Sequence, residues 1–468
     1  MKTPQLAILA IALGLAYSGA AHAQSNEELL KELRALRDRV TQLEDRLKAV
    51  AAAPPAATAT TAAAAAPAQV QPGMTPQQLQ DFNRIAVKTE ALEDAQEAMG
   101  TRNLKISGYI EPTYIYNRAQ NRAGFQFLNN AASDGYSYDN SYFGTAALDF
   151  QKETDSGTRY RLTLVPHRST DSVIGNGGIV NEASISVPLG DLSTRFIAGH
   201  IPDWSGYEML QPTLNKLITH NLLFDFTLPT AYTGAGIELT RGKWITKAML
   251  ANLNATKNAA GETAPVLAYR VDYSKGEFQG FGFAGVHGKA ANLVGETKNS
   301  AIHLFEVDGY FIRGDWTVQG QLSYGRQDRA AISPDPDTGA LRTAQWMGLS
   351  ALAAYKVTPR LEAVARLDYL KNNKNGGGLL GFGADNRNGI GPGVLGYDGD
   401  GALIYNNTEK GANRSALSLG LSYLVDLSTT VKLEYRYDRA NQPVFEFVKD
   451  SSFSKSNSLL GASVVVTF

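Results

Sequence analysis

The sequence predicts an all-β transmembrane antiparallel β-barrel of about 16 strands, preceded by an α-helical coiled-coil segment. Three observations predict it. From Asn103 onward apolar residues recur with a period of two instead of one near 3.6, the signature of strands with two unlike faces. The breaks between candidate strands alternate between short and long, as a meander crossing a bilayer shows. The stretch Leu459 to Phe468 is small, β-branched and apolar. Such a strand is an aggregation hazard unless both edges are paired, which closing a sheet into a barrel achieves.

The chain has 468 residues, a formal net charge of -1 and no cysteine, so a disulfide scaffold and a thiolate metal site are both excluded. The absence of a basic excess argues against a nucleic-acid partner. Residues 1–23 read as a secretory signal peptide, with Lys2 as the positive start, Leu6 to Ala16 as the apolar core and Ala21-His22-Ala23 as the cleavage site. Mature protein then begins near Gln24. No later run reaches the roughly 18 apolar residues of a spanning helix, so strands must do any crossing.

Residues 24–50 carry Leu29, Leu33, Leu36, Val40, Leu43, Leu47 and Val50 in a continuous 4-3-4-3 spacing, a coiled-coil seam. With Leu33, Val40 and Leu47 at the a positions, a parallel neighbour pairs Glu32 with Arg37 and Arg39 with Glu44, which favours self-association. Two strands and three remain open from this pattern. Residues 51–73 form an Ala, Pro and Thr linker with little to bury. A second helix over 74–100 opens with Thr75 as N-cap, Pro76 at the first helical position and Gln78 completing a capping box. Gly100 is its stop, and both helices are expected in the periplasm.

The barrel region, 101–468, contains sixteen candidate strands: 103–117, 141–152, 158–167, 181–189, 193–201, 231–241, 243–252, 265–275, 278–288, 300–313, 315–326, 342–356, 360–371, 413–425, 430–440 and 457–468. Connections after even-numbered strands are short, such as Arg241-Gly242-Lys243 and Arg313-Gly314-Asp315, while 118–140, 202–230 and 372–412 are long. Pro112 cannot donate to a ladder, so a bulge or a shortened first strand is expected there. In the fifteenth strand Val431, Leu433, Tyr435 and Tyr437 alternate with Lys432, Glu434, Arg436 and Asp438. An Arg or Lys facing lipid at the midplane costs about 2–4 kcal/mol, so the charged row faces a wet interior.

Inward-pointing lumen-wall candidates are Lys105, Arg159, Arg161, Arg270, Arg366, Lys432 and Arg436, with Glu111, Glu238, Glu362 and Glu434 among the acids. Adding Lys247, Glu182, Asp272, Asp368 and Asp438 makes eight of each sign, so wall charge predicts no ion preference. The connection 202–230 is too apolar to lie free in water. Folded inward, it would constrict the lumen with Asp203, Trp204, Tyr207, Glu208, Lys216, His220 and Asp225. The histidines His22, His167, His200, His220, His287 and His303 are scattered, so no metal site, cofactor or catalytic set is indicated. Asp398-Gly399-Asp400-Gly401 lacks the closing Glu of an EF-hand and reads as a surface loop.

Gly206-Tyr207-Glu208, Thr219-His220-Asn221 and Tyr232-Thr233-Gly234-Ala235-Gly236 give the strand region a resemblance to proteobacterial OmpL-like β-barrel porins. With the seam in front, the layout also resembles DcaP-like trimeric porins. The resemblance implies a homotrimer in the outer membrane of a Gram-negative bacterium, with the third loop folded into each pore. Sixteen strands leave an aqueous channel, so passive transport of small hydrophilic solutes is expected, and nothing in the sequence suggests an enzyme. Family members are associated with anionic substrates such as dicarboxylates, but this sequence lacks a clear basic track. Phe468, an aromatic at the end of an apolar strand, resembles the signal read by the outer-membrane assembly machinery. The alternative is an envelope-tethering or adhesion protein whose barrel serves as an anchor in outer-membrane lipid.

Overall fold

The computed structural model describes residues 84, 85, 87, 88, 91, 101, 103–127, 144–166, 179–258, 260–276, 278–291, 299–331, 335, 337–373, 390–407 and 410–468. Contacts divide the chain into Met1–Arg102 and Asn103–Phe468. In the first unit Arg84, Ile85, Val87, Lys88 and Ala91 are helical. The signal peptide, the coiled coil, the linker and the rest of the 74–100 helix lie outside the described residues.

The second unit is built from β1 (Leu104–Ile110), β2 (Thr113–Asn117), β3 (Arg122–Gln126), β4 (Ala146–Glu153), β5 (Arg159–Leu164), β6 (Val180–Leu189), β7 (Asp191–Pro202) and β8 (Ala231–Arg241). These are followed by β9 (Trp244–Leu253), β10 (Val266–Gly276), β11 (Gln279–Ala291), β12 (Asn299–Arg313), β13 (Trp316–Gln327), β14 (Ala344–Lys356) and β15 (Leu361–Asn373). The chain finishes with β16 (Val394–Tyr397), β17 (Leu403–Tyr405), β18 (Arg414–Leu424), β19 (Thr429–Ala440), β20 (Phe445–Phe447), β21 (Ser452–Ser454) and β22 (Ser456–Thr467). A five-residue helix α1 (Leu222–Phe226) lies in the connection between β7 and β8.

Neighbours in sequence pair antiparallel from β4 through β15, then on to β18, β19 and β22. β22 returns to pair with both β1 and β2, which closes the sheet. The eighteen segments of this sheet make sixteen crossings, because β1 and β2 are halves of one crossing and β3 and β4 are halves of the next. Each of the sixteen anticipated ranges overlaps one crossing. β16 with β17 and β20 with β21 form separate hairpins within long connections, which the sequence pattern did not indicate.

The break between β1 and β2 falls at Glu111-Pro112, as the missing proline N–H requires. The Pro112 carbonyl still accepts the Val464 N–H at 3.2 Å. Across from the break, β3 pairs with β2 while β4 pairs with β1, so the chain leaves the sheet after Gln126 and re-enters near Gly144. Gly144 has φ +63°, and a Cβ there would lie 2.2 Å from the Gln126 carbonyl oxygen. The two half-strands can meet because this residue has no side chain.

The wall inverts the pattern of a soluble protein. On β19, Lys432, Glu434, Arg436 and Asp438 are buried, while Leu433, Tyr435 and Tyr437 are exposed. On β13, Thr317, Gln321 and Ser323 are buried, and Trp316, Val318, Leu322 and Tyr324 are exposed. The interior, however, is not uniformly wet. Met249, Val286, Leu304 and Trp346 also point inward, and they pack with Leu222, Leu223 and Phe226 of α1 into an apolar cluster inside the barrel. The expected polar lumen is therefore confined to part of the cross-section, because the long connection carries its own core into the barrel.

The seam depends on the last residue: Gly108 N–H donates to the Phe468 carbonyl at 3.0 Å, and Phe468 N–H donates to Gly108 O at 3.1 Å. Removing Phe468 deletes both bonds, each worth about 1 kcal/mol. Less folded, heat-modifiable barrel should then reach the membrane fraction, measured by unheated gel migration; unchanged levels would refute this role.

Candidate functional site

A loop can enter a barrel only if its backbone polar groups find partners there. Residues 203–230 enter after β7 and meet a wall that supplies them. Arg366 on β15 is fully buried. It donates to Glu208 at 2.7 Å, to the Thr219 carbonyl at 2.7 Å and hydroxyl at 3.0 Å, and to the His220 carbonyl at 2.8 Å. It also holds Asp368 at 3.0 Å. Arg436 adds a second donor to the His220 carbonyl at 2.9 Å. The Lys432 ammonium reaches the carbonyls of Pro212 at 2.6 Å and Asn215 at 2.7 Å. The Glu434 carboxylate takes the opposite partners, accepting from the N–H groups of Ile218 at 2.7 Å and Thr219 at 2.8 Å and from the Thr219 hydroxyl at 2.6 Å.

Apolar contacts settle beside these clamps. Leu217 packs with Leu352, Ala354 and Val364, and Ile218 with Ile115 and Leu459. Two glycines of the wall make room. A Cβ on Gly420 would lie 2.3 Å from Leu217 Cδ2, and one on Gly348 would lie 2.8 Å from Leu223 Cδ1. The turn into α1 is fixed by Asn221, whose side chain accepts from Leu223 N–H at 2.9 Å and Phe224 N–H at 2.8 Å while its own N–H donates to Glu208 at 2.6 Å. Thr227 closes the helix by donating its hydroxyl to the Leu223 carbonyl at 2.8 Å.

The anticipated constriction residues therefore divide. Tyr207 bonds Ser350 at 2.6 Å, Glu208 holds Arg366, and Lys216 pairs with Glu362 at 2.8 Å. His220 stacks on Phe224 with ring centres 4.1 Å apart, and its Nε2 lies 3.0 Å from the Met209 carbonyl. Asp225 is buried on α1. Tyr207, Glu208, Lys216 and His220 fasten the loop. Trp204 instead lines a remaining cavity of about 550 Å³, set against Tyr232 at 4.9 Å and beneath the Lys247 ammonium at 5.9 Å. Asp203, at the root of the loop, donates its N–H to Thr230 O at 3.1 Å and accepts from Ser205 at 2.9 Å and from the Tyr232 hydroxyl.

That cavity lies along the other arc of the wall and contains Lys105, Arg159, Arg161 and Glu238 from the anticipated set, with Glu182 and Lys247. Its cations are largely matched: Arg161 contacts Asp149 at 2.9 Å and Glu182 at 3.3 Å, Arg159 contacts Glu153 at 3.2 Å, and Lys247 contacts Glu238 at 3.3 Å. Ile197, Ile201 and Trp204 give it an apolar side. Of the remaining wall candidates, Arg366, Lys432, Glu434 and Arg436 lie beneath the loop. Arg270 is bound to Asp272 at 2.7 Å and Asp308 at 2.5 Å, and Glu111 is buried at the strand break. Sequence reasoning missed the apolar inner face of β9 to β14. A signal was present, since Ile302 and Leu304 share their strand with outward Phe305, and Met249-Leu250-Ala251 is apolar at both registers of the alternation.

Burial pushes the Asp203 carboxyl up to about 7, against the hydrogen bonds from Tyr232 and Ser205 that favour its ionised form. Burial likewise raises Glu208 above its ordinary value, opposed by the charge of Arg366 and the Asn221 N–H.

The family described as protein of unknown function (DUF3138) matches residues 1–266 and 276–468. Among curated proteins no match was found. Among solved structures, the chain is similar to an anion-selective porin from Comamonas acidovorans, at 8% identity over 78% of this chain and 99% of that one, with a TM-score of 0.49. It is similar to OmpT, an outer membrane protein of Vibrio cholerae, at 12% identity over 78% and 97% of the two chains, TM-score 0.47. It is also similar to Salmonella typhi OmpF in complex with daunomycin, at 11% identity over 78% and 97%, TM-score 0.47.

Two outcomes are expected. Arg366→Ala leaves Glu208 and Asp368 buried without their cation, a loss of about 3–5 kcal/mol. Amide exchange over 217–227 should accelerate at least about a hundredfold, whereas unaltered protection would show that the clamp does not hold the loop. Asp203 behaves differently. Its folded pKa lies above the unfolded value of about 3.9, so its contribution is complete below that value and is lost as pH rises through about 7. Protection of residues 203–210 should fall as pH rises from about 4 to about 7, level off above that, and become flat with pH in Asp203→Asn.

Proposed function

We propose that the chain, which belongs to the family of proteins of unknown function DUF3138, is an outer-membrane channel for passive diffusion of small hydrophilic solutes. The observation that carries this reading is a closed barrel, apolar outside and charged inside, whose inward-folded loop leaves a charged cavity against one wall. An exposed ring of Leu, Phe, Val and Tyr side chains suits lipid, and a polar interior suits water. On this reading the short connections face the periplasm and the long ones the cell surface, and the 24–100 segment belongs to the periplasm. The 29–50 seam supports parallel self-association, taken here as a homotrimer from the resemblance to trimeric porins, and Phe468 supports delivery by the assembly machinery. Paired charges along the cavity favour small polar solutes over a strict ion preference.

A second reading has its own support. The apolar cluster around α1 fills part of the lumen, as suits a barrel that serves as an anchor for envelope tethering or adhesion. Conductance separates the two. Purified protein in a planar bilayer should give steps in groups of three, and excising 206–226 should raise the unit step about two- to threefold, as a channel of sixteen strands loses its constriction. A silent wild-type protein whose loop deletion conducts would establish the anchor reading instead.

A further inference from the structure

The outer face of the barrel is not uniform at the end that carries the long connections. Strand register places His287 of β11 directly opposite His303 of β12, His303 opposite Arg326 of β13, and Arg326 opposite Gln345 of β14. All four alternate with buried inward residues, so they form one outward rung. Four strands spaced by about 4.8 Å make it roughly 14 Å long. The Nδ1 atoms of His287 and His303 are 3.2 Å apart, and the Gln345 amide donates to the Tyr324 hydroxyl at 3.0 Å. Lys289 extends the cationic patch two residues along β11, and Lys371 of β15 lies opposite Met347, one pleat from the rung. Below it, Phe305, Tyr324 and Met347 form the adjoining apolar row.

No carboxylate faces outward along β11 to β15; Asp328, just past β13, contacts Arg326 at 3.3 Å in an exposed pair. On the opposite arc, the corresponding rung reads Leu162, Ala183, His200, Thr233 and Asn252, with neither Lys nor Arg. Two imidazoles flanked by Lys289 and Arg326, over aromatic side chains, are arranged for a molecule with an anionic head and an apolar body.

We infer that the His287, His303, Arg326 and Lys289 rung docks the phosphorylated headgroup of an outer-leaflet glycolipid, whose acyl chains lie along Phe305, Tyr324 and Met347. This rests on the proposed orientation, in which the long connections face the cell surface. Arg326 and the imidazole N–H groups reach phosphate oxygens directly, and a disaccharide bearing two phosphates has the length to engage more than one position of the rung. Among the described residues, the same level of the β5 to β9 arc offers such a lipid neither Lys nor Arg and leaves that side to other contacts.

The test uses the full chain in detergent, titrated with bisphosphorylated lipid A and with the same lipid stripped of phosphate, and bound lipid counted by native mass spectrometry. Wild-type protein should hold the phosphorylated form at least about tenfold more tightly. H287Q/H303Q/K289Q/R326Q should lose that preference, and H287R/H303R should keep it. Equal binding of the two lipids by wild type overturns the inference, as does a quadruple variant that retains the preference while migrating as folded barrel. Conductance recorded on the same preparations keeps the two proposals apart. A conducting protein without phosphate preference refutes the lipid site alone, and a silent protein with the preference refutes the channel alone.

Discussion

The constraint on which the interior depends is that a polypeptide backbone cannot be taken inside a barrel without new hydrogen-bond partners. Arg366, Arg436 and Lys432 answer the carbonyls of Pro212, Asn215, Thr219 and His220, while Glu434 answers the amides of Ile218 and Thr219. Arg366 and Arg436 thus meet both an opposite wall charge, Asp368 or Asp438, and a loop dipole. Burying such ions alone would be costly, since their desolvation exceeds what a single poor contact returns. Here the loop supplies the remaining partners, and loop and wall make each other's burial possible.

This mutual satisfaction divides the lumen. On the arc from β12 to β22, charged wall, loop and apolar side chains form a packed interior in which Leu217, Ile218 and the α1 residues are buried. Along β1 and β4 to β9 the wall meets a cavity of about 550 Å³ whose ions are paired along the sheet. Two populations of inward charge result from one alternating pattern: those that hold the loop and those that meet solvent. Trp204 stands at the boundary, tilted against Tyr232 and under Lys247, so the root of the loop also shapes the open side.

Closure of the sheet sets the outer surface by the same alternation. Every residue turned inward to serve the loop leaves its sequence neighbour on the outside, which is why Leu433, Tyr435 and Tyr437 are exposed beside Lys432, Glu434 and Arg436. At the end with the long connections this outer row changes to His287, His303 and Arg326 along adjacent strands. The barrel therefore has distinct arcs both inside and outside, although the backbone is nearly regular around it.

The sequence by itself determined the barrel, the number of its crossings and the faces of its clearly alternating strands, such as the one that carries Lys432 to Asp438. Period-two alternation and Pro112 are local properties, and a strand obeys them wherever it pairs. That 202–230 needs a surface to pack against was also legible, because its Leu, Ile and Phe content has no favourable place in water. What the tertiary structure alone decided was which inward charges face solvent. Arg161 and Arg366 occupy equivalent places in the alternation, yet one borders the cavity and the other is sealed by Glu208 and Thr219. The difference lies in contacts between residues about 150 positions apart, such as Arg366 with Glu208 across 158, and no local pattern encodes such a meeting. The same holds for Gly348 and Gly420, whose lack of a side chain acquires meaning only when Leu223 and Leu217 come to rest against them.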